Sequence, residues 1–261
     1  MGSISYGPVP SWRLGRSLGI DLLSTKGKTC SFDCIYCQLG RTVQSVAERS
    51  EFVRLDKLAE ELETARDIVA DYATFSGVGE PTLASNLGEA IGLVKSVLEL
   101  PVAVLTNSSL MTREDVRHEL SLADVVVAKV DVPNEKMFRQ INCPVMTYTL
   151  TEILNALKLF RKEYHGKLAL QMMFIEANKD YAPEMAKIAV GVLPDEVQIN
   201  TPLRPCGVKP LTPTEIATIR REFMSLPKVV TVYEAPKPDV TPLNLGEMQR
   251  RRPKEGQLEK R

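Results

Sequence analysis

Residues 73–106 read Ala-Thr-Phe-Ser-Gly-Val-Gly-Glu-Pro-Thr-Leu-Ala-Ser-Asn-Leu-Gly-Glu-Ala-Ile-Gly-Leu-Val-Lys-Ser-Val-Leu-Glu-Leu-Pro-Val-Ala-Val-Leu-Thr and carry one complete strand–helix–strand unit. Ala73–Ser76 is a short β-prone run that ends at a glycine turn. Leu87–Leu98 then repeats Ala90, Leu93, Val94 and Val97 at helical spacing, and Val102–Thr106 is a second apolar run after Pro101. Two strands joined through a helix of this length are predicted to lie parallel in one sheet.

The same alternation extends in both directions. Further strands are expected at Leu18–Leu23, Asp124–Val130, Lys167–Ile175 and Glu196–Asn200, six in all with the two above, and Val229–Tyr233 is an additional candidate. Helical periodicity marks Leu55–Val69, Thr151–Phe160, with a threonine cap ahead of it, and Pro183–Val190, with proline in its first turn. This pattern predicts an α/β protein, and six strands are too few for a closed eight-stranded barrel. A partial (β/α)6 barrel with parallel strands fits the count better than a doubly wound sheet. In either case the ligand site belongs at the carboxyl ends of the strands. One domain is expected over residues 1–240, followed at 241–261 by a basic, flexible tail. From Gly246 onward that tail has six basic and three acidic residues and almost nothing apolar, which also suits an arm that contacts phosphate.

Composition narrows the function classes. Of 261 residues, 44% are hydrophobic and 25% charged, enough apolar material for a core. Lys+Arg and Asp+Glu both number 33, which excludes polyanion binding driven by overall charge. No apolar run approaches the ~18–20 residues that span a bilayer. The opening Met-Gly-Ser-Ile-Ser-Tyr-Gly-Pro-Val-Pro lacks the order of a secretory signal, so a cytoplasmic protein without a membrane role is expected.

Five cysteines are present, and Cys30, Cys34 and Cys37 form a C-x3-C-x2-C loop. A disulfide framework would be even in number and spread along the chain, so the cluster reads as a metal site. Three thiolates on one loop suit three irons of a cubane and leave the fourth iron open to a small molecule. The alternative is zinc completed by a distant Cys143, Cys206, His118 or His165, although no second ligand pair exists.

At this loop, with Tyr36 before the third cysteine, the sequence resembles the radical S-adenosylmethionine (SAM) superfamily. The resemblance implies a [4Fe–4S] cluster on Cys30, Cys34 and Cys37 and SAM on the open iron, with Tyr36 near adenine. It further implies reductive cleavage of SAM to a 5′-deoxyadenosyl radical that abstracts a substrate hydrogen, with flavodoxin or ferredoxin as the kind of reductant. Ser76-Gly77-Val78-Gly79-Glu80-Pro81-Thr82 is similar to the family's Gly-Gly-Glu-Pro element, which assigns Gly77, Gly79, Glu80 and Pro81 to the SAM amino group. Segments 7–19, 28–30, 38–42, 129–131 and 198–205 resemble the group related to tRNA wyosine synthases, which makes RNA one candidate substrate. Those synthases carry further cysteines ahead of the loop, and this sequence has none before Cys30.

Other residues at strand ends leave two readings each. Asn107 follows the third strand, and Lys129 and Asp131 end the fourth on one face, where they bind SAM or pair with each other. Gln171 and Asn200 interrupt apolar strands as core amides or nucleoside contacts. Arg13, Arg16, Arg41 and Arg204 suit anion recognition or loop-anchoring salt bridges; Trp12 suits packing better than base stacking. Cys206, just past the sixth strand, is a candidate hydrogen-atom donor in catalysis, a partner of Cys143 at a second metal, or a packing residue. Two non-enzymatic classes stay open: an iron–sulfur electron-transfer or cluster-carrier protein, and a zinc-stabilised nucleic-acid-binding module.

Overall fold

The computed structural model describes residues 2–236 and 238–251. β1 (Ser5–Ser11) and β2 (Gly15–Ile20) form an antiparallel hairpin at one edge of the main sheet. β3 (Lys28–Cys30) and β4 (Thr42–Ser45) form a separate parallel pair, and the cysteine loop lies between them. From β2 the main sheet continues through β5 (Tyr72–Phe75), β6 (Val102–Thr106), β7 (Val125–Lys129), β8 (Lys167–Met173), β9 (Glu196–Asn200) and β10 (Val229–Thr231). Each of these strands is parallel to the one before, and the sheet curls into a half-barrel. The expected strands are all present; the sheet adds β1, which sequence reasoning missed because its Gly-Pro-Val-Pro run breaks strand periodicity.

The connecting helices are α1 (Leu55–Thr64), α2 (Leu87–Leu98), α3 (Glu114–Leu120), a short α4 (Glu135–Met137), α5 (Leu150–Glu163), α6 (Ala182–Val192), α7 (Pro213–Glu222) and α8 (Leu245–Arg251). α5 and α7 open on reciprocal capping boxes, Thr149 with Glu152 and Thr212 with Glu215, which satisfy free amides of their first turns. α1 ends five residues before the expected Val69, as Ala65 turns back onto the Leu62 carbonyl. The expectation of a flexible tail over 241–261 meets a helix at α8; residues 252–261 lie outside the described residues.

Strand alternation sorts the core. Val126 and Ala128 of β7 and Leu168 and Leu170 of β8 face outward and pack in the large core under the helices. Val125, Val127 and Ala169 face inward and, with Ala103 and Leu14, plug the lower barrel. Above this plug the inward positions turn polar at Lys129, Gln171 and Asn200, and there the cavity opens.

Candidate functional site

The cysteine loop is pinned from several sides. Asp33 N donates to the Cys143 carbonyl at 3.1 Å and Ile35 N to the Ile141 carbonyl at 3.0 Å, while Phe32 meets Phe138 edge-on at 5.3 Å. The wall behind the loop is thus a π-helical turn, Phe138–Asn142, that no sequence signal marked. Cys30 and Cys34 are buried and Cys37 is half-buried. Burial pushes the Cys30 thiol up to about 12 and raises Cys34 as well, so a bound metal would be needed to hold these sulfurs as thiolates.

Donors are already aimed at the sulfurs. Phe32 N and Asn107 Nδ2 each lie 3.5 Å from Cys30 Sγ, and Asn142 Nδ2 lies 3.5 Å from Cys34 Sγ. Such N–H groups suit iron-bound thiolates, whose extra electron density accepts them. Among the described residues no three His, Cys, Asp or Glu side chains converge on one metal ion. A cubane instead asks each thiolate to take a different iron, and the donor set fits that group better than zinc.

The glycine turn after β5 lies directly against this loop. Thr29 N donates to the Val78 carbonyl at 3.0 Å and Glu80 N to the Thr29 carbonyl at 3.2 Å. A Cβ on Gly79 would overlap the Thr29 carbonyl, so only glycine permits this approach. Gly77, at φ +155°, leaves room for Asp21, whose carboxylate accepts from Val78 N at 3.3 Å.

Glu80 is buried, and its partners are all neutral donors. Oε1 accepts from Thr82 N at 3.1 Å, Thr82 Oγ1 at 2.7 Å and Thr106 Oγ1 at 2.7 Å; Oε2 accepts from Asn107 N at 2.6 Å. Burial lifts its pKa above the ordinary carboxyl range, although these bonds pull the other way. A cation in the cavity would restore the charged form, which suits the amino group of an amino acid. Asn107 joins the two halves of the site. Its backbone N–H binds Glu80 while its side chain donates to Cys30 Sγ and, at 2.9 Å, to Ser31 Oγ.

A cavity of about 470 Å³ holds these groups together. Its walls include Cys30, Cys34, Cys37 and Tyr36, then Gly77, Gly79 and Glu80, then Asn107, Lys129 and Asn200. A larger hollow of about 540 Å³ beside Arg16 and Asp67 contains none of them. Pro81, Asp131 and Cys206 do not line the central cavity. Pro81 instead opens a buried 3-10 turn, whose Thr82 and Ala84 carbonyls receive the guanidinium of Arg49.

Asp131 stands behind Tyr36 rather than in the cavity. It accepts from the Tyr36 hydroxyl, from Asn142 Nδ2 at 3.2 Å and from Met173 N at 2.9 Å. Lys129 Nζ lies 3.6 Å from Asp131, donates to Tyr36 OH at 3.2 Å and sits 4.6 Å from the centre of its ring. Its charge therefore serves largely to hold Tyr36 in place. Burial, with Asp131 beside it, keeps Tyr36 well above the usual phenol range and therefore neutral. The Cys206 thiol contacts the Val208 carbonyl at 3.3 Å. Arg16 pairs with Asp71, whereas Arg204 returns to the cysteine loop, where its N and Nε donate to Gln38 Oε1 at 3.1 and 3.0 Å. Lys28, read in the sequence only as part of a pattern, is buried beside the cysteines. Burial alone would lower its pKa, but Cys37, Cys30 and Cys34 outweigh that and raise it.

Comparison with known proteins agrees with this geometry. The chain is 38% identical over 226 residues to a UPF0026 protein of Methanocaldococcus jannaschii, covering 84% of this chain and 70% of that one. It is 39% identical over 207 residues to a UPF0026 protein of Synechocystis, covering 79% and 77%. Among solved structures, Streptococcus suis SuiB bound to S-adenosylmethionine matches with a TM-score of 0.62 at 13% identity, covering 81% of this chain and 50% of that one. An archaeal TYW1 matches with a TM-score of 0.58 at 13% identity, covering 79% and 70%. The present chain thus spans only about half of SuiB, and at these identities the likeness is one of fold. The family model described as the radical SAM superfamily matches residues 25–189, from just before the cysteine loop to α6. With that match over more than half of the chain and the close relatives beside it, the chain belongs to the radical SAM superfamily, among the UPF0026 proteins.

Proposed function

We propose that this enzyme holds a [4Fe–4S] cluster on Cys30, Cys34 and Cys37 and SAM on Glu80, and uses the pair to abstract hydrogen from an anionic substrate. The observation that carries the reading is Asn107, which ties the carboxylate and a cluster cysteine to one residue in one cavity. When bound and reduced, the cluster and SAM supply a 5′-deoxyadenosyl radical. The chain's own part is to place and to shield. Glu80 receives the SAM ammonium, the Thr29–Gly79 contact fixes its distance from the cysteine loop, and Tyr36 and Asn200 flank the nucleoside. Buried walls around the three cysteines keep water from the reacting centre.

Charge on the cavity wall supports the substrate class. Arg13 and Arg204 line it, together with Lys28, Lys129 and Arg251, whose charges already face the cysteines, Asp131 and Asp21. Glu80 is the single carboxylate of the lining. A concave site of that sign draws carboxylates and phosphates. An RNA phosphate belongs to this class, as does the carboxylate of a small metabolite. A one-electron donor such as flavodoxin or ferredoxin would reduce the cluster.

Anaerobic reconstitution tests the reading. The expected result is four irons per chain and 5′-deoxyadenosine release on reduction with SAM, both lost when any one of Cys30, Cys34 or Cys37 is replaced by Ala. Iron without SAM cleavage would favour an electron-transfer protein, and zinc without iron a structural metal module.

A further inference from the structure

We propose that Lys28 is the counter-charge of the iron–sulfur cluster, a buried ammonium that offsets the thiolates and makes the cluster easier to reduce. The inference rests on the cluster occupying Cys30, Cys34 and Cys37.

Lys28 opens β3, two residues ahead of Cys30, and its side chain is only 3% exposed. It lines the same cavity as the three cysteines. Apart from the Cys37 side chain, its Nζ meets no hydrogen-bond partner among the described residues. Asp33 Oδ1 stands 3.7 Å away, beyond hydrogen-bond length, and already accepts from Thr42 N at 2.8 Å. Burying an ammonium on such terms is costly, and a protein tolerates it only where a strong anion repays the lost hydration.

Thiolates on iron are that anion. Lys129, the other lysine of the cavity, is committed elsewhere through Asp131 and the Tyr36 ring. Lys28 pairs only with Asp33, at 3.7 Å, and that carboxylate is about one-third exposed. The Lys28 charge faces a group that becomes more negative when an external one-electron donor reduces it; the donor is oxidised, and no covalent bond or proton changes place in that step. In a buried site with little dielectric screening, a fixed positive charge favours the reduced state. The N–H donors from Asn107, Asn142 and Phe32 act on the sulfurs in the same direction.

The experiment is an EPR-monitored redox titration of the anaerobically reconstituted wild-type, Lys28→Met and Lys28→Arg proteins, with iron content measured in parallel. The expected result is full iron loading in all three, a midpoint potential more negative in Lys28→Met, and a potential near wild type in Lys28→Arg. Equal midpoints in wild type and Lys28→Met would overturn the proposal, as would equal shifts in both variants, which would mark a packing role. If Lys28→Met does not retain iron, retention by Lys28→Arg supports the need for charge, and loss from both overturns it. Wild-type protein that takes up no cluster would instead overturn the cofactor assignment on which the inference rests.

Discussion

Glu80 places one buried carboxylate among four neutral hydrogen-bond contacts and leaves its charge to be balanced by a ligand. Glu80→Gln removes a charge-assisted bond and is expected to weaken SAM binding about ten- to a hundredfold while the cluster remains. The pH dependence follows from the raised pKa of this group. On acidification Glu80 takes up its proton before an ordinary glutamate would. SAM affinity is then full above that raised pKa and falls as the pH drops through it, whereas the glutamine variant stays flat across the same window. Calorimetric titration of cluster-loaded protein at several pH values measures both effects. Cys206 makes the opposite case. Its thiol is turned to the Val208 carbonyl and does not line the cavity, so Cys206→Ser is expected to keep iron, SAM cleavage and substrate turnover. Blocked turnover with continued 5′-deoxyadenosine release would return Cys206 to the hydrogen-donor role.

α8 shows how an element far along the chain shapes the site. Arg251, at its end, is buried and donates from Nε to Asp21 Oδ2 at 2.8 Å and from Nη1 to Glu247 Oε2 at 2.6 Å. The same Asp21 oxygen accepts from Val78 N in the glycine turn. The guanidinium also lies 4.7 Å from the centre of the Tyr6 ring, whose hydroxyl meets Ser76 Oγ at 2.8 Å. Two separate routes therefore lead from α8 to the turn that presents Glu80. Arg251→Met would leave the buried Asp21 carboxylate with backbone N–H bonds but no counter-charge and is expected to cost about 3–5 kcal/mol of stability. Adding Asp21→Asn should recover much of that loss, because the uncompensated charge disappears. Denaturant unfolding of the two single variants and the double variant measures the coupling, and purely additive losses would show that the pair is not coupled.

Across the molecule, the half-barrel separates a lower plug from an upper cavity lined by the three cysteines and Glu80. The plug ends in Glu196, a buried inward residue of β9 held by Lys167 at 2.9 Å and Lys228 at 2.8 Å. Burial alone would raise its pKa, but bonds from Lys228, Gln198 and Lys167 outweigh that, and the folded value lies below the ordinary one. The sign is that of a depressed acid: its stabilisation is complete above the unfolded pKa and is lost as the pH falls through the folded one. Thermal unfolding of the wild type should therefore weaken with acid over that window. Glu196→Gln should be less stable at neutral pH and show a flatter acid limb. An unchanged acid limb would place the pH sensitivity in other carboxylates.

The strand–helix alternation, the parallel sense of the sheet, the cysteine loop and the glycine turn were legible in the sequence, because each is written in neighbouring residues. Periodicity reports which face a helix or strand buries, and three cysteines within one loop need no distant partner to be noticed. Even the likeness to a known family rests on such local runs. What tertiary structure decided is how these pieces bear on one another. Asn107 reaches Cys30 across 77 positions, and Arg251 reaches Asp21 across 230. The commitment of Lys129 to Tyr36, and the pairing of Lys28 with a partly exposed Asp33, likewise depend on which groups burial brings together. Whether a buried charge is already paired depends on distances and solvent exclusion in three dimensions, and a charged residue reads the same in the sequence in either case.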